Sequence, residues 1–136
     1  GLFDMVLLKD NHIDFCGGIE QALDRCAAYQ KEKGLHLKVE IECRSLDDIR
    51  RVIAHKEAHP EAGADRIMLD NFNTDTMREA VEHTRNKTQG RVKLEASGGI
   101  NTTTLRSYAE TGVDFISIGA LTKDCKAVDL SMRLIG

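Results

Sequence analysis

The chain has 136 residues, 41% hydrophobic and 30% charged, with a net charge of −3, few aromatics and no tryptophan. This suits a single domain with an aliphatic core. A slightly acidic balance speaks against a nucleic-acid or membrane-surface protein, which would carry a basic patch. No apolar run is long enough to span a bilayer, and nothing at the start resembles a signal peptide.

Five strands are predicted, at about 5–9, 38–43, 66–70, 92–96 and 114–118, with helical spacing between them. The first apolar run, Met5-Val6-Leu7-Leu8, closes on Lys9. A helix over about 18–33 then puts Ile19, Ala22, Leu23, Cys26 and Ala27 on one stripe, and Gly34 stops it. Val39 and Ile41 form the second run, which closes on Glu42. Ser45 is a natural N-cap for the next helix, with Asp47 and Asp48 in its first turn and Pro60 beyond its end. Ile67-Met68-Leu69 closes on Asp70, and a helix over about 74–87 turns Met77, Ala80, Val81 and Thr84 inward. Val92 and Leu94 lead to Glu95, followed by a helix over about 102–110, capped by Asn101 or Thr102. Phe115-Ile116-Ser117-Ile118 closes on Gly119, and a last short helix is expected over about 128–134.

Alternating strands and helices are the signature of βαβ units on a parallel sheet. The fold class is α/β, a parallel-stranded partial TIM-like barrel of five βα units. Five units cannot close a barrel of eight strands. The chain is therefore read as the carboxyl-terminal part of a larger barrel, with the remaining strands upstream of Gly1 and no domain boundary inside residues 1–136.

In such folds ligands bind beyond the carboxyl ends of the strands. That rim would hold one amine, Lys9, and three carboxylates, Glu42, Asp70 and Glu95. Residues two apart in a strand share a face, so Glu40 and Glu42 point one way, as do Lys93, Glu95 and Ser97. Buried carboxylates need compensation from lysines or a metal. An interior ladder such as Lys93 with Glu40 is one way to supply it. Ser97-Gly98-Gly99-Ile100-Asn101-Thr102 follows a strand and opens a helix, where glycines let a backbone approach an anion and free amides point at it. Ile118-Gly119-Ala120-Leu121 ends the next strand in a second small-residue turn, and the pair suggests a phosphate cup. His55 and His59 lie one helical turn apart but read as surface residues without a third ligand. His36 and His83 read the same way, and only His12 lies near the rim. The four cysteines show no CxxC pair and are read as reduced thiols in a cytosol-like compartment.

Five segments together carry a family resemblance: Leu8-Lys9-Asp10-Asn11-His12-Ile13, Val39-Glu40-Ile41-Glu42-Cys43, Ile67-Met68-Leu69-Asp70-Asn71, Glu95-Ala96-Ser97-Gly98-Gly99-Ile100 and Ile118-Gly119-Ala120-Leu121-Thr122. In order and spacing the chain resembles the quinolinate phosphoribosyltransferases, across essentially its whole length. The resemblance implies an amino-terminal α+β domain upstream and a homo-oligomer, a dimer or higher, in the cytoplasm. It also implies transfer of phosphoribosyl from phosphoribosyl pyrophosphate to quinolinate with magnesium (Mg2+), giving nicotinate mononucleotide, pyrophosphate and carbon dioxide in NAD synthesis. Carried over by position, Lys9 would pair with anionic substrates. Glu42 and Asp70 would lie near the ribose hydroxyls and magnesium pyrophosphate, with Glu95 beside them. Ser97, Gly98, Gly99, Ile118, Gly119 and Ala120 would form the phosphate cup. Where the family commonly has His-Ser, this chain has Lys123-Asp124, and Lys123 can still reach a phosphate. The family's basic quinolinate-binding segments are expected upstream of Gly1. A related transferase with another acceptor, or a phosphate-binding barrel without turnover, are the alternatives.

Overall fold

A computed structural model describes residues 5–118 and 126–129. Six strands form one sheet in sequential order: β1 (Met5–Leu8), β2 (Lys38–Cys43), β3 (Arg66–Asp70), β4 (Lys93–Ser97), β5 (Phe115–Ile118) and β6 (Lys126–Asp129). The first five run parallel, as the strand pattern requires, and β6 pairs antiparallel with β5. The helices between them are α1 (Asp10–Cys16), α2 (Ile19–Lys33), α3 (Leu46–Ala58), α4 (Thr74–Thr88) and α5 (Leu105–Ala109). The result is an arc of a TIM-like α/β barrel.

Strand alternation decides which side of the arc is apolar. Val39, Ile41, Cys43, Ile67, Leu69, Leu94, Ala96 and Ile116 are all nearly or fully buried. They pack in one cluster with the helix stripes, among them Ala22, Leu23, Ile49, Val52, Ile53, Met77 and Ala80. Each fully buried Ile or Leu contributes about 1.5–3 kcal/mol relative to exposure. The helix ends follow local chemistry. Ser45 Oγ accepts from the Asp48 amide at 3.1 Å, and Asn73 Oδ1 accepts from the Thr76 amide at 2.8 Å. Both caps hold α3 and α4 where the sequence places them.

Two aspartates that precede strands fix the register at the opposite, amino-terminal end. Asp65 donates its amide to the Val39 carbonyl and accepts the Val39 amide on Oδ2. Asp114 does the same to Leu94. Each keeps its second oxygen near a helix cation: Lys56 Nζ lies 3.4 Å from Asp65 Oδ1, and an Arg85 nitrogen 3.5 Å from Asp114 Oδ1.

Three expectations need correction. Residues 10–16 form α1, a helix the sequence reading did not place, with Lys9 at its N-cap and Ile13 buried. The helix expected over 102–110 is shorter, because Asn101 Oδ1 takes the amides of Thr103 and Thr104 and closes a turn before Leu105. The short helix expected over 128–134 begins instead as part of β6, since the open edge of β5 offers a backbone ladder that an isolated helical turn cannot match. Residues 130–134 of that expectation lie outside the described residues.

Candidate active site

The face of the sheet turned away from the core helices carries the polar residues. Register puts Glu40 opposite Arg66, and Arg66 opposite Lys93. The next row is Glu42, Met68, Glu95 and Phe115, and above it Asp70 stands opposite Ser97. The lower rows form a closed cluster. Arg66 Nε donates to Glu40 Oε2 at 2.8 Å, and its NH2 group donates to Glu95 Oε1 at 2.9 Å. Its guanidinium lies over the Phe115 ring, 4.0 Å from the centroid. Glu40 and Glu95 are only 5% and 4% exposed. Burial, with Glu40 alongside, pushes the Glu95 carboxyl up to about 8, against the pull of Arg66.

This corrects the ladder of Lys93 with Glu40. Lys93 stands first in β4 and is exposed at the amino-terminal end of the face. A planar guanidinium spans two neighbouring strands at once, which a lysine ammonium cannot do with fixed geometry. Arg66 was missed, although counting back in twos from Asp70 places it on this face.

The upper edge is different in kind. Lys9 follows β1, is exposed, and has no carboxylate within salt-bridge distance among the described residues. Glu42 is half-buried, and its Oε1 accepts the Asp10 amide, the first of α1, at 3.0 Å. α1 thus places Lys9 and fixes Glu42 in one stroke. Arg44, on the same edge, is engaged with Asp10 at 3.4 Å. Asp70 ends β3 and is half-buried, with no ion pair to another described residue. Glu95 shares the row of Glu42, but its carboxyl is buried and bonded to Arg66, so it belongs to the closed cluster below the edge.

The turn after β4 is held from β3. Asn71 adopts a left-handed backbone, φ 58°, and donates its amide to the Ser97 carbonyl at 3.0 Å. Gly98, φ +90°, lies so close that a Cβ there would stand 2.5 Å from Asn71 Oδ1. Gly99, φ +68°, faces open space. Tyr108 of α5 donates its hydroxyl to the Phe72 carbonyl at 3.1 Å, tying the helix after this turn to the loop after β3. Ile118 ends β5, with its side chain buried. Gly119, Ala120 and Lys123 lie outside the described residues.

A cavity of about 660 Å³ lies elsewhere, at the amino-terminal end of the strands beside Lys31, Lys38, Lys56 and Asp65. At the carboxyl edge a cleft of about 100 Å³ lies beside Glu42, Asp10 and Arg44. The edge of an open arc is a surface, so its volume says little about its chemistry. Cys16, Cys26 and Cys43 are free thiols, and burial pushes Cys26 and Cys43 up, away from the reactive thiolate. Cys125 lies outside the described residues. Among the described residues no helix is long and apolar enough to cross a membrane.

A parallel α/β arc with an acidic carboxyl edge and a diglycine turn is the architecture of barrel enzymes that act on phosphorylated substrates. The chain belongs to the quinolinate phosphoribosyl transferase family: residues 1–133 match its C-terminal domain. It is 40% identical to the chloroplastic nicotinate-nucleotide pyrophosphorylase (carboxylating) of Arabidopsis thaliana, over 98% of this chain and 40% of that protein. It is 37% identical to the mitochondrial quinolinate phosphoribosyltransferase (decarboxylating) 2 of Nicotiana glauca, over 98% of this chain and 39% of that one. Among solved structures, the nicotinate-nucleotide pyrophosphorylase of Francisella tularensis superposes with a TM-score of 0.72 at 41% identity, covering 95% of this chain and 41% of the other. The chain spans about two fifths of the length of these relatives.

Proposed function

We propose that this chain is the carboxyl-terminal barrel portion of an enzyme that transfers phosphoribosyl from phosphoribosyl pyrophosphate to quinolinate. The products are nicotinate mononucleotide, pyrophosphate and carbon dioxide, a step of NAD synthesis. The observation that carries this reading is the carboxyl edge itself. Lys9, Glu42 and Asp70 stand there outside any ion pair among the described residues, above a floor whose charges are already matched. A fold that needed these groups only for stability would have paired them.

The bond between ribose C1 and the pyrophosphate oxygen breaks as the pyridine nitrogen forms its bond to C1, and the ribosyl centre gains positive character; the carboxylate on the ring carbon beside that nitrogen then leaves as carbon dioxide, and a proton from water takes its place. Carboxylates fixed beside that centre stabilise it without reorganising. Glu42 suits this, because the Asp10 amide holds one of its oxygens in place. The Lys9 ammonium would meet an anionic substrate, and the Gly98–Gly99 backbone a phosphate. Lys123, Gly119, Ala120 and Ile118 would complete that cup. Glu42 and Asp70 offer hard oxygen donors with no basic side chain within ion-pair distance among the described residues, a set that fits magnesium shared with phosphate oxygens. When bound, the ion would neutralise charge on the pyrophosphate leaving group. In our reading the whole protein adds an amino-terminal α+β domain and the first barrel strands, forms a homodimer and works in the cytoplasm. Cys16, Cys26 and Cys43 stand as free thiols, which favours that compartment.

The test uses full-length enzyme carrying Lys9→Ala, assayed for nicotinate mononucleotide with both substrates and magnesium. A charge-assisted contact to a buried anion is worth ~2–4 kcal/mol, so kcat/KM should fall by roughly a hundredfold or more. Wild-type kinetics in a folded variant would remove Lys9 from the site.

A further inference from the structure

We propose that Asp24, His55 and His59 form a site for a divalent transition-metal ion of the zinc class, on the outer helical layer and separate from the carboxyl edge. The apolar stripe of α3 buries Ile49, Val52 and Ile53, and the same turn carries His55 inward against α2. The His55 side chain is only 3% exposed, contrary to the sequence reading of a surface residue. Its Nε2 lies 2.8 Å from Oδ1 of Asp24, on α2. His59 is the C-cap of α3, donates its amide to the His55 carbonyl at 2.8 Å, and sets its ring 4.7 Å from that of His55. One donor atom from each of the three residues lies within 4.8 Å of the other two.

A plain hydrogen bond between His55 and Asp24 would explain their contact but not the rest of the arrangement. Nδ1 of His55 is buried with no hydrogen-bond partner, and Nε2 is the nitrogen that faces Asp24 and would meet the ion. What the pair leaves unexplained is the second imidazole: His59 brings a third donor to within 4.8 Å of the other two. Two imidazoles and a carboxylate are a donor set that zinc takes up, with water completing a tetrahedron. Magnesium and calcium prefer oxygen ligands alone, so the site discriminates against the ion proposed for the carboxyl edge.

Neighbouring donors around tetrahedral zinc stand about 3.4 Å apart, given metal–ligand bonds of about 2.0–2.1 Å. The His59 donor, within 4.8 Å of the other two, would swing inward, and the His55–Asp24 pair need open by only a fraction of an ångström. Asp24 can give that, since its side chain is 63% exposed. The ion would enter from solvent past Asp24 and His59 and replace the proton shared by Asp24 and His55. It would clamp the middle of α2 to the end of α3. Its role is structural: it braces the helical layer and supplies nothing to the chemistry at the other end of the strands.

The experiment titrates chelator-treated full-length protein with zinc by calorimetry, and with cobalt to read ligand-field bands. Wild type should take up one equivalent with a tetrahedral cobalt spectrum, and zinc alone should raise its melting temperature. His59→Gln and Asp24→Asn change exposed side chains, so both should fold and melt like the metal-free wild type. Each should weaken zinc binding by about tenfold or more and erase the cobalt bands. Millimolar magnesium should not displace the ion. Saturable binding that survives both substitutions unchanged, or no saturable binding at all, would overturn the site.

Discussion

Arg66 is the residue on which the inner face turns. One guanidinium answers two carboxylates, and the surplus negative charge is relieved by a proton on Glu95, held there by burial and by Glu40. Removing the arginine alone would strand buried charge, a change that commonly costs 3–5 kcal/mol. The raised Glu95 value also sets a pH dependence. A carboxyl whose folded value lies above its unfolded value binds a proton on folding, so its contribution is full below the unfolded value and is lost as pH rises through about 8. Wild-type protein should therefore lose thermal stability between about pH 5 and pH 9. Glu95→Gln, which keeps the shape and cannot ionise, should flatten that loss and melt higher than wild type at pH 9. Thermal melts of both proteins across that range check it; parallel curves would mean that Glu95 is not the titrating group. The sequence announced Glu40 and Glu95 by strand alternation, because period two needs only the residue string. Their partner was harder to read, since an arginine at the first position of a strand looks like a solvated end until the neighbouring strands are aligned.

Among the elements, α1 and the turn after β4 decide the edge. The strands and the three long helices were legible because each has a strong apolar period or a cap, as with Ser45 on α3 and Asn73 on α4. α1 was not, because it buries only Ile13 and has no side-chain cap. The diglycine turn was recognised as a close approach, but what it approaches within the fold is Asn71, a contact across strands that no local pattern encodes. The two glycines should accordingly behave differently. Gly99→Ala meets open space and bears only the left-handed backbone strain, about 1–2 kcal/mol. Gly98→Ala adds a collision with Asn71 and should destabilise by roughly a further 1–3 kcal/mol. In the full-length enzyme Gly99→Ala should also raise KM for phosphoribosyl pyrophosphate more than for quinolinate. Urea unfolding and steady-state kinetics read both effects; equal destabilisation would show that Asn71 yields freely.

At the scale of the whole molecule, the sheet order follows the chain order without exception, which alternation and the rule of right-handed crossovers lead one to expect. The antiparallel β6 departs from that series. Exposed apolar groups gather on the β1 side: Phe15 is 81% exposed and Tyr29 57%, with Leu35 and Leu7 at 38% each. Val6, Leu8 and Tyr29 line a groove of about 370 Å³ there. The acceptor in the proposed reaction carries two carboxylates, yet Arg44 and Arg66 are already engaged and Lys9 is the unengaged cation of the edge among the described residues. An unpaired carboxylate taken out of water costs a few kcal/mol in binding. The 136-residue chain purified alone should then give no measurable nicotinate mononucleotide from both substrates and magnesium, whereas the full-length enzyme should. Comparable product from the short chain would place a complete acceptor pocket within it.

The paired aspartates at the other end of the sheet have a consequence for how such a protein can change over time. Asp65 and Asp114 each grip a strand through amide and carboxylate together, so slipping the register by one residue would break both bonds at once. The alignment of the strands is thus settled at the end away from the proposed site. Loops at the opposite end can exchange residues, lengthen or lose a side chain without disturbing which strand residue faces inward. Substitutions there are free to alter what the edge would bind while the arc beneath stays in frame, and that separation leaves one scaffold open to a succession of different ligands.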